Sequence, residues 1–258
     1  MDLELQQKVV AITGGTDGLG LALAHRLVAE GAAVAICGRD AERLAAAEAA
    51  LAAVGGDVLA LTADVARAED IERFVGTVID RWHRLDGIVH NAGKSAAGLV
   101  ESSNDDTWEA DLQLKLMGAV RMARISIPHL RESKGSVLLT LALAAKTPGA
   151  GSTPSSVSRA AGMALMKALS KELAPDGIRV NAILIGLIES GQWVRMAEAA
   201  GVELADFYEQ MARNSSIPLG RVGRADEFAD LAAYLLSERS SYVTGTAINL
   251  DGGMSPVV

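Results

Sequence analysis

Seven short runs in this chain are apolar at nearly every position: KVVAIT (8–13), AAVAIC (32–37), DVLALT (57–62), DGIVHN (86–91), SVLLTL (136–141), IRVNAILI (178–185) and TAINL (246–250). A strand that exposes one face to water alternates apolar with polar residues, whereas a strand covered on both faces does not, so these runs predict a parallel sheet buried on both sides. Segments such as AERLAAAEAALAAV and SRAAGMALMKALSKELA separate them, with apolar residues at i, i+3 and i+4 and charges on the opposite face, as amphipathic helices require. Strand and helix in alternation make an α/β, doubly wound, Rossmann-type fold of seven parallel strands with helices on both faces. With no Pro/Gly/Ser linker dividing the 258 residues, residues 1–258 are expected to form a single domain. In such sheets ligands bind beyond the carboxyl ends of the strands.

The first of those ends is TGGTDGLG (13–20), which runs straight into the helix LALAHRLVAEG. Glycines there let the chain turn tightly, bring backbone N–H groups to a pyrophosphate, and pack the helix close to the strand. The turn makes Gly14, Thr16, Asp17, Gly18, Leu19 and Gly20 candidate dinucleotide contacts. The second strand ends in CGRD, where an acidic residue would accept from a ribose 2′-hydroxyl; Arg39 stands close by instead. A guanidinium suits a 2′-phosphate, so NADP(H) is favoured over NAD(H). Asp40 would oppose a phosphate but fits the N-cap of the next helix.

Composition narrows the function classes. Half of the chain is hydrophobic, and 24 basic against 32 acidic residues give a net charge of −8 with no basic tract, which disfavours nucleic acid as a partner. The single cysteine, Cys37, excludes an internal disulfide and fits a reducing compartment. His25, His83, His90 and His129 show no metal-ligand spacing, so no metal site is expected. No run reaches the length of a membrane span, and MDLELQQK carries acidic residues before any apolar stretch; no membrane partner and a cytoplasmic location are expected.

In order and spacing, TGGTDGLG, Asp64-Val65, NAG at 91–93, RVN at 179–181 and YVTGTAINLDGG at 242–253 resemble the classical short-chain dehydrogenases/reductases along essentially the whole chain. The resemblance implies that Asp64 and Val65 meet the adenine and that Asn91, Ala92 and Gly93 line the adenine-ribose side. Gly186 and Ile188 would lie against the nicotinamide, and a mobile substrate lid would fall around 189–216. It also implies a small-molecule substrate and a homotetramer or homodimer.

The family's catalytic Asn, Ser, Tyr and Lys can be placed by flanking sequence, and all four differ here. TWEADLQLKLMGAV puts Lys115 at the Asn position, GSVLLTLALA puts Ala142 at the Ser position, and SSVSRAAGMALMKAL puts Ser155 for the tyrosine and Arg159 for the lysine. None of the three tyrosines, Tyr208, Tyr234 and Tyr242, stands four residues before a lysine, so no shift of register restores the motif. A serine hydroxyl is a far weaker and shorter acid than a tyrosine. Arg159 cannot relay a proton, but it keeps a charge and donors for the nicotinamide ribose. Candidate proton donors are Ser155 itself, Lys115 in or out of the vacated site, Lys146, and Tyr208 on the lid; a product oxyanion stabilised by resonance would need none.

Two readings stay open. One is an atypical NADP(H)-dependent oxidoreductase acting on a carbonyl of a hydrophobic small molecule, with room for it beside the small-residue loop AAKTPGAGSTPSS. The other is a silent member of the same fold that binds dinucleotide or serves as a sensor or assembly partner.

Overall fold

The computed structural model describes residues 2–258. Its strands are β1 (Val9–Thr13), β2 (Ala33–Gly38), β3 (Val58–Thr62), β4 (Gly87–His90), β5 (Ser136–Ala142), β6 (Arg179–Ile185) and β7 (Ala247–Leu250). They form one sheet in the order β3-β2-β1-β4-β5-β6-β7, with every pair parallel. The helices are α1 (Gly18–Ala29), α2 (Ala41–Ala53), α3 (Ala68–Trp82), α4 (Asp105–Leu112), α5 (Gly118–Ser133), α6 (Ser155–Glu172), α7 (Gly191–Ala200), α8 (Leu204–Asn214) and α9 (Ala225–Leu236). The seven strands fall within a residue or so of the seven apolar runs.

The reason those runs are apolar on both sides is visible in the core. Val9 and Ala11 of β1 join one cluster with Phe74 of α3, Met122 and Leu130 of α5 and Met166 of α6. Their neighbours Val10 and Ile12 join the cluster on the other face with Leu23 and Leu27 of α1, Leu51 of α2 and Phe228 of α9. Successive strand side chains point to opposite faces, so a sheet with helices on both faces needs apolar residues at every position.

RVN serves this frame. The guanidinium of Arg179, nearly buried, donates to the carbonyls of Leu235, Leu236 and Ser237 at the C-terminal end of α9 and to Ser240 Oγ, at 2.7–3.2 Å. A cation there satisfies carbonyls that have no partner within the helix and complements its dipole. Asn181 donates to the Val243 carbonyl and accepts from Thr246 N, which seats the edge strand β7.

From β3 the chain returns to the far side of β1, so β1 and β4 are neighbours whose connections diverge to opposite faces. That divergence opens a crevice outside the ends of β1 and β4, at Thr13 and His90.

Candidate active site

The crevice is a cleft of about 650 Å³ running from the tips of β2 and β3, over the glycine-rich turn, to the start of α6. Gly14 has φ +67°, and a Cβ there would come within 2.9 Å of Ala92 Cα. The turn and the NAG segment are stitched together at this contact: Asn91 Nδ2 donates to the carbonyls of Thr13 and Gly14 at 3.2 and 3.0 Å, and Thr13 Oγ1 accepts from the backbone of Asn91 and Ala92, both at 3.1 Å. Asp17 caps α1 by accepting from Gly18 N at 2.7 Å. Gly20 is buried, pressed against the Gly14 carbonyl; it allows the close approach of helix to turn and does not face the cleft.

The other fourteen candidate cofactor contacts, Gly14, Thr16, Asp17, Gly18, Leu19, Arg39, Asp64, Val65, Asn91, Ala92, Gly93, Arg159, Gly186 and Ile188, all line the cleft. At its outer end the exposed guanidinium of Arg39 lies 4.0 Å from Asp64. Asp40 caps α2, accepting from the backbone of Glu42 and Arg43 at 3.1 Å, which commits its charge to the helix. Arg43 lines the same end and was missed from sequence, although its place four residues after Arg39 on the first turn of α2 is a usable signal.

At the inner end, α4 and α5 are joined by a single π turn, Gln113–Met117, with Lys115 at its centre. The wider turn points Lys115 inward rather than into solvent, and its side chain is 2% exposed. Lys115 Nζ is ion-paired with Asp111 and donates to Ser155 Oγ at 2.7 Å. Ser155 Oγ also accepts from Ala96 N at 3.0 Å. The far oxygen of Asp111 accepts from Ser158 Oγ at 2.6 Å. Asp111 and Ser158 were not singled out in the sequence; their signals are helical spacings, four residues before Lys115 and three after Ser155.

Arg159 lies beneath this group, donating to the Thr140 carbonyl at 2.6 Å while Nη2 sits against Gly93, where a Cβ would lie only 2.5 Å away. Burial lowers its pKa to about 10 against the opposing pull of Asp111, so it remains a cation at neutral pH. The Lys115 ammonium is also pushed below the ordinary lysine range, first by burial and then by Arg159 and Lys94, with Asp111 pulling the other way. His90 is held to about 3 by burial and the charge of Arg159; it is neutral and is no acid at working pH. Ala142 lines the cleft at the end of β5 and brings no hydroxyl.

Two sequence candidates lie apart from this group. Lys146 donates to the Ala247 carbonyl and to Asn249 Oδ1, at 3.2 and 3.0 Å, and secures β7. Tyr208 packs on α8 with a small cluster built on Ala212, Ile217 and Val222, and burial raises its pKa, making the phenol a weaker acid. Neither lines the cleft. From the lid segment it is α7 that reaches the mouth: Gln192, Trp193 and Arg195 line it, and Arg195 Nη1 meets Asp17 Oδ2 at 3.3 Å.

A family model described as enoyl-(acyl carrier protein) reductase matches residues 14–255. An uncharacterised oxidoreductase of Mycobacterium bovis is 35% identical over 252 residues, covering 96% of this chain and 97% of its own. The chain belongs to the short-chain dehydrogenase/reductase family. Among solved members, a short-chain oxidoreductase of Pseudomonas aeruginosa PAO1, described as containing an atypical catalytic center, superimposes with a TM-score of 0.94 at 36% identity, with full coverage of both chains. It is also known with NADPH bound. The L-sorbose reductase of Gluconobacter frateurii, in complex with NADPH and L-sorbose, gives 0.95 at 31% identity, again over both full chains. In this family member Lys115, Ser155 and Arg159 come together at the inner end of one cleft.

Proposed function

We propose that this short-chain dehydrogenase/reductase is an NADP(H)-dependent oxidoreductase that acts on a carbonyl of a hydrophobic small molecule without a tyrosine acid. The observation that carries the reading is the continuity of one cleft, from Arg39 after β2 and Arg43 on the first turn of α2 to the Lys115, Ser155 and Arg159 group.

The residues fit a dinucleotide. Gly14 and Gly18 adopt left-handed φ values of +67° and +51°, and side chains at Gly14 would fill the space against Ala92, so the cradle depends on their absence. The turn and the N-terminus of α1 would hold the pyrophosphate, Asp64 and Val65 the adenine, Asn91 to Gly93 the neighbouring ribose, and Gly186 and Ile188 the nicotinamide. Arg39 and Arg43 together would meet a 2′-phosphate, which is why NADP(H) is preferred here to NAD(H). Arg159 would donate to the nicotinamide ribose. When bound, the cofactor supplies or accepts the hydride. The NADPH complexes of the Pseudomonas and Gluconobacter relatives support this choice. Trp193 and Arg195 would close over the cleft as part of a lid. Among the described residues no helix is long and apolar enough to cross a membrane.

A dinucleotide-binding protein without turnover is the second reading, favoured by the loss of a hydroxyl at Ala142. Fluorescence titration with NADPH and NADH decides first whether either reading stands. Arg39→Ala should weaken NADPH at least about tenfold, a loss of about 1.4 kcal/mol, and leave NADH nearly unchanged. Equal losses would contradict the 2′-phosphate contact, and failure of the parent to bind either nucleotide would remove the oxidoreductase reading. Turnover of carbonyl probes then separates the enzyme from the silent binder.

A further inference from the structure

Resting on that reading, we propose that Ser155 delivers the proton to the substrate oxygen and is reprotonated by Lys115, with Asp111 and Ser158 as the positioning residues of this relay. A serine hydroxyl has one hydrogen to give and two lone pairs to fill. Both acceptor positions of Ser155 Oγ are taken, by Lys115 Nζ at 2.7 Å and by Ala96 N at 3.0 Å. Among the described residues its own hydrogen has no acceptor, and Ser155 lines the cleft. The hydroxyl is thus left as a donor towards the cleft.

Taken alone this donor would be far too weak an acid. The hydrogen bond from Lys115 changes that, because the proton lost from Oγ is replaced along the same bond by one from Nζ, and a free serine alkoxide never forms. In reduction, the carbonyl carbon gains hydride and its oxygen gains the Ser155 proton. Ser155 takes a proton from Lys115, and Lys115 becomes a neutral amine that recovers its proton from solvent once the cleft opens. Oxidation of the alcohol runs the same transfers backwards. The effective acid is an ammonium already weakened in its hold on the proton by burial, and a catalytic acid works best with a pKa near the operating pH.

The groups around Lys115 fit the transfer. Asp111 on α4 is its ion-pair partner; Arg159 on α6, Lys94 after β4 and the neutral His90 face it from the other elements. As Lys115 gives up its charge, Asp111 would be left a buried carboxylate with no counter-ion beside it. Ser158, donating to it at 2.6 Å, and the charge of Arg159 lower that cost. A pair kept only for stability would have little reason to sit here, since buried ion pairs rarely return their desolvation cost.

The test uses the whole protein with NADPH and two probes, acetophenone and 9,10-phenanthrenequinone. The ketone gives an unstabilised alkoxide and needs an acid; the quinone gives an oxyanion spread by resonance and does not. Ser155→Ala and Lys115→Met should each lower kcat on the ketone on the order of 100-fold and on the quinone by less than about threefold, with Ser155→Thr restoring most of the ketone rate. A separate readout needs no turnover: NMR of lysine labelled at Cε should show Lys115 titrating below the other lysines, lower still in Asp111→Asn, which removes the opposing carboxylate, and higher in Ser158→Ala, which removes the hydroxyl that steadies Asp111 once Lys115 is neutral. Equal losses on both probes, or a Lys115 titration unmoved by Asp111→Asn, would overturn the relay while leaving the oxidoreductase reading intact. If the parent binds NADPH yet reduces neither probe, both fall.

Discussion

Replacing Arg159 with methionine should stabilise the protein while weakening its hold on NADPH. The guanidinium is half-buried in the cleft wall between Gly93 and the Thr140 carbonyl, and its pKa falls from 12.5 to about 10. Below pH 10 the folded and unfolded chains both carry this charge, so the cost of burying it is present in full across the working range. It fades only as pH rises from 10 towards 12.5. At 1.36 kcal/mol per decade that drop amounts to at most roughly 3 kcal/mol, reduced by the solvent that reaches Arg159 from the cleft. Asp111 already offsets part of the burial cost within that figure. Methionine covers much of the same apolar space but gives up the bond to Thr140, worth about 1 kcal/mol. The net expectation is a gain of up to about 2 kcal/mol, read as a higher urea midpoint at neutral pH with an unchanged slope. The same variant should bind NADPH at least about tenfold more weakly by fluorescence titration. A variant less stable than the parent by more than about 1 kcal/mol would refute the burial argument. Unchanged NADPH affinity would refute the placing of Arg159 at the cofactor.

Two other perturbations probe the same surroundings. Gly93→Ala places a Cβ 2.5 Å from Arg159 Nη2, so the guanidinium must move; NADPH affinity should drop about tenfold, and an affinity equal to the parent's would show that the position of Arg159 is not needed. His90 is held to about 3 from an ordinary 6.5, so below pH 6.5 the unfolded chain takes a proton that the folded one refuses. Its share of stability is therefore lost as pH falls from 6.5 towards 3, at about 1.4 kcal/mol per pH unit, and His90→Gln should flatten that part of the urea-midpoint profile between pH 7 and 5; an unaltered slope would contradict a neutral, buried imidazole.

The sheet, its parallel direction and the place of the cleft were legible because each depends on residues near one another in the chain. Apolar runs without alternation require cover on both faces, and a strand running through TGGTDGLG into a helix leaves only one arrangement of turn and helix. The absence of a Tyr-x-x-x-Lys spacing was equally legible, since it is a fact about letters. What stands in its place was not. Lys115 and Ser155 are 40 residues apart, and Lys115 could as well have pointed to water. Only the π turn at 113–117, packed against α6, turns it inward onto Asp111 and Ser155. The same holds for Tyr208 and Lys146, plausible donors by residue type, which packing commits to the α8 cluster and to β7. Local spacing decides where strand, turn and helix form; which side chains from different elements share a buried point is decided by how those elements pack.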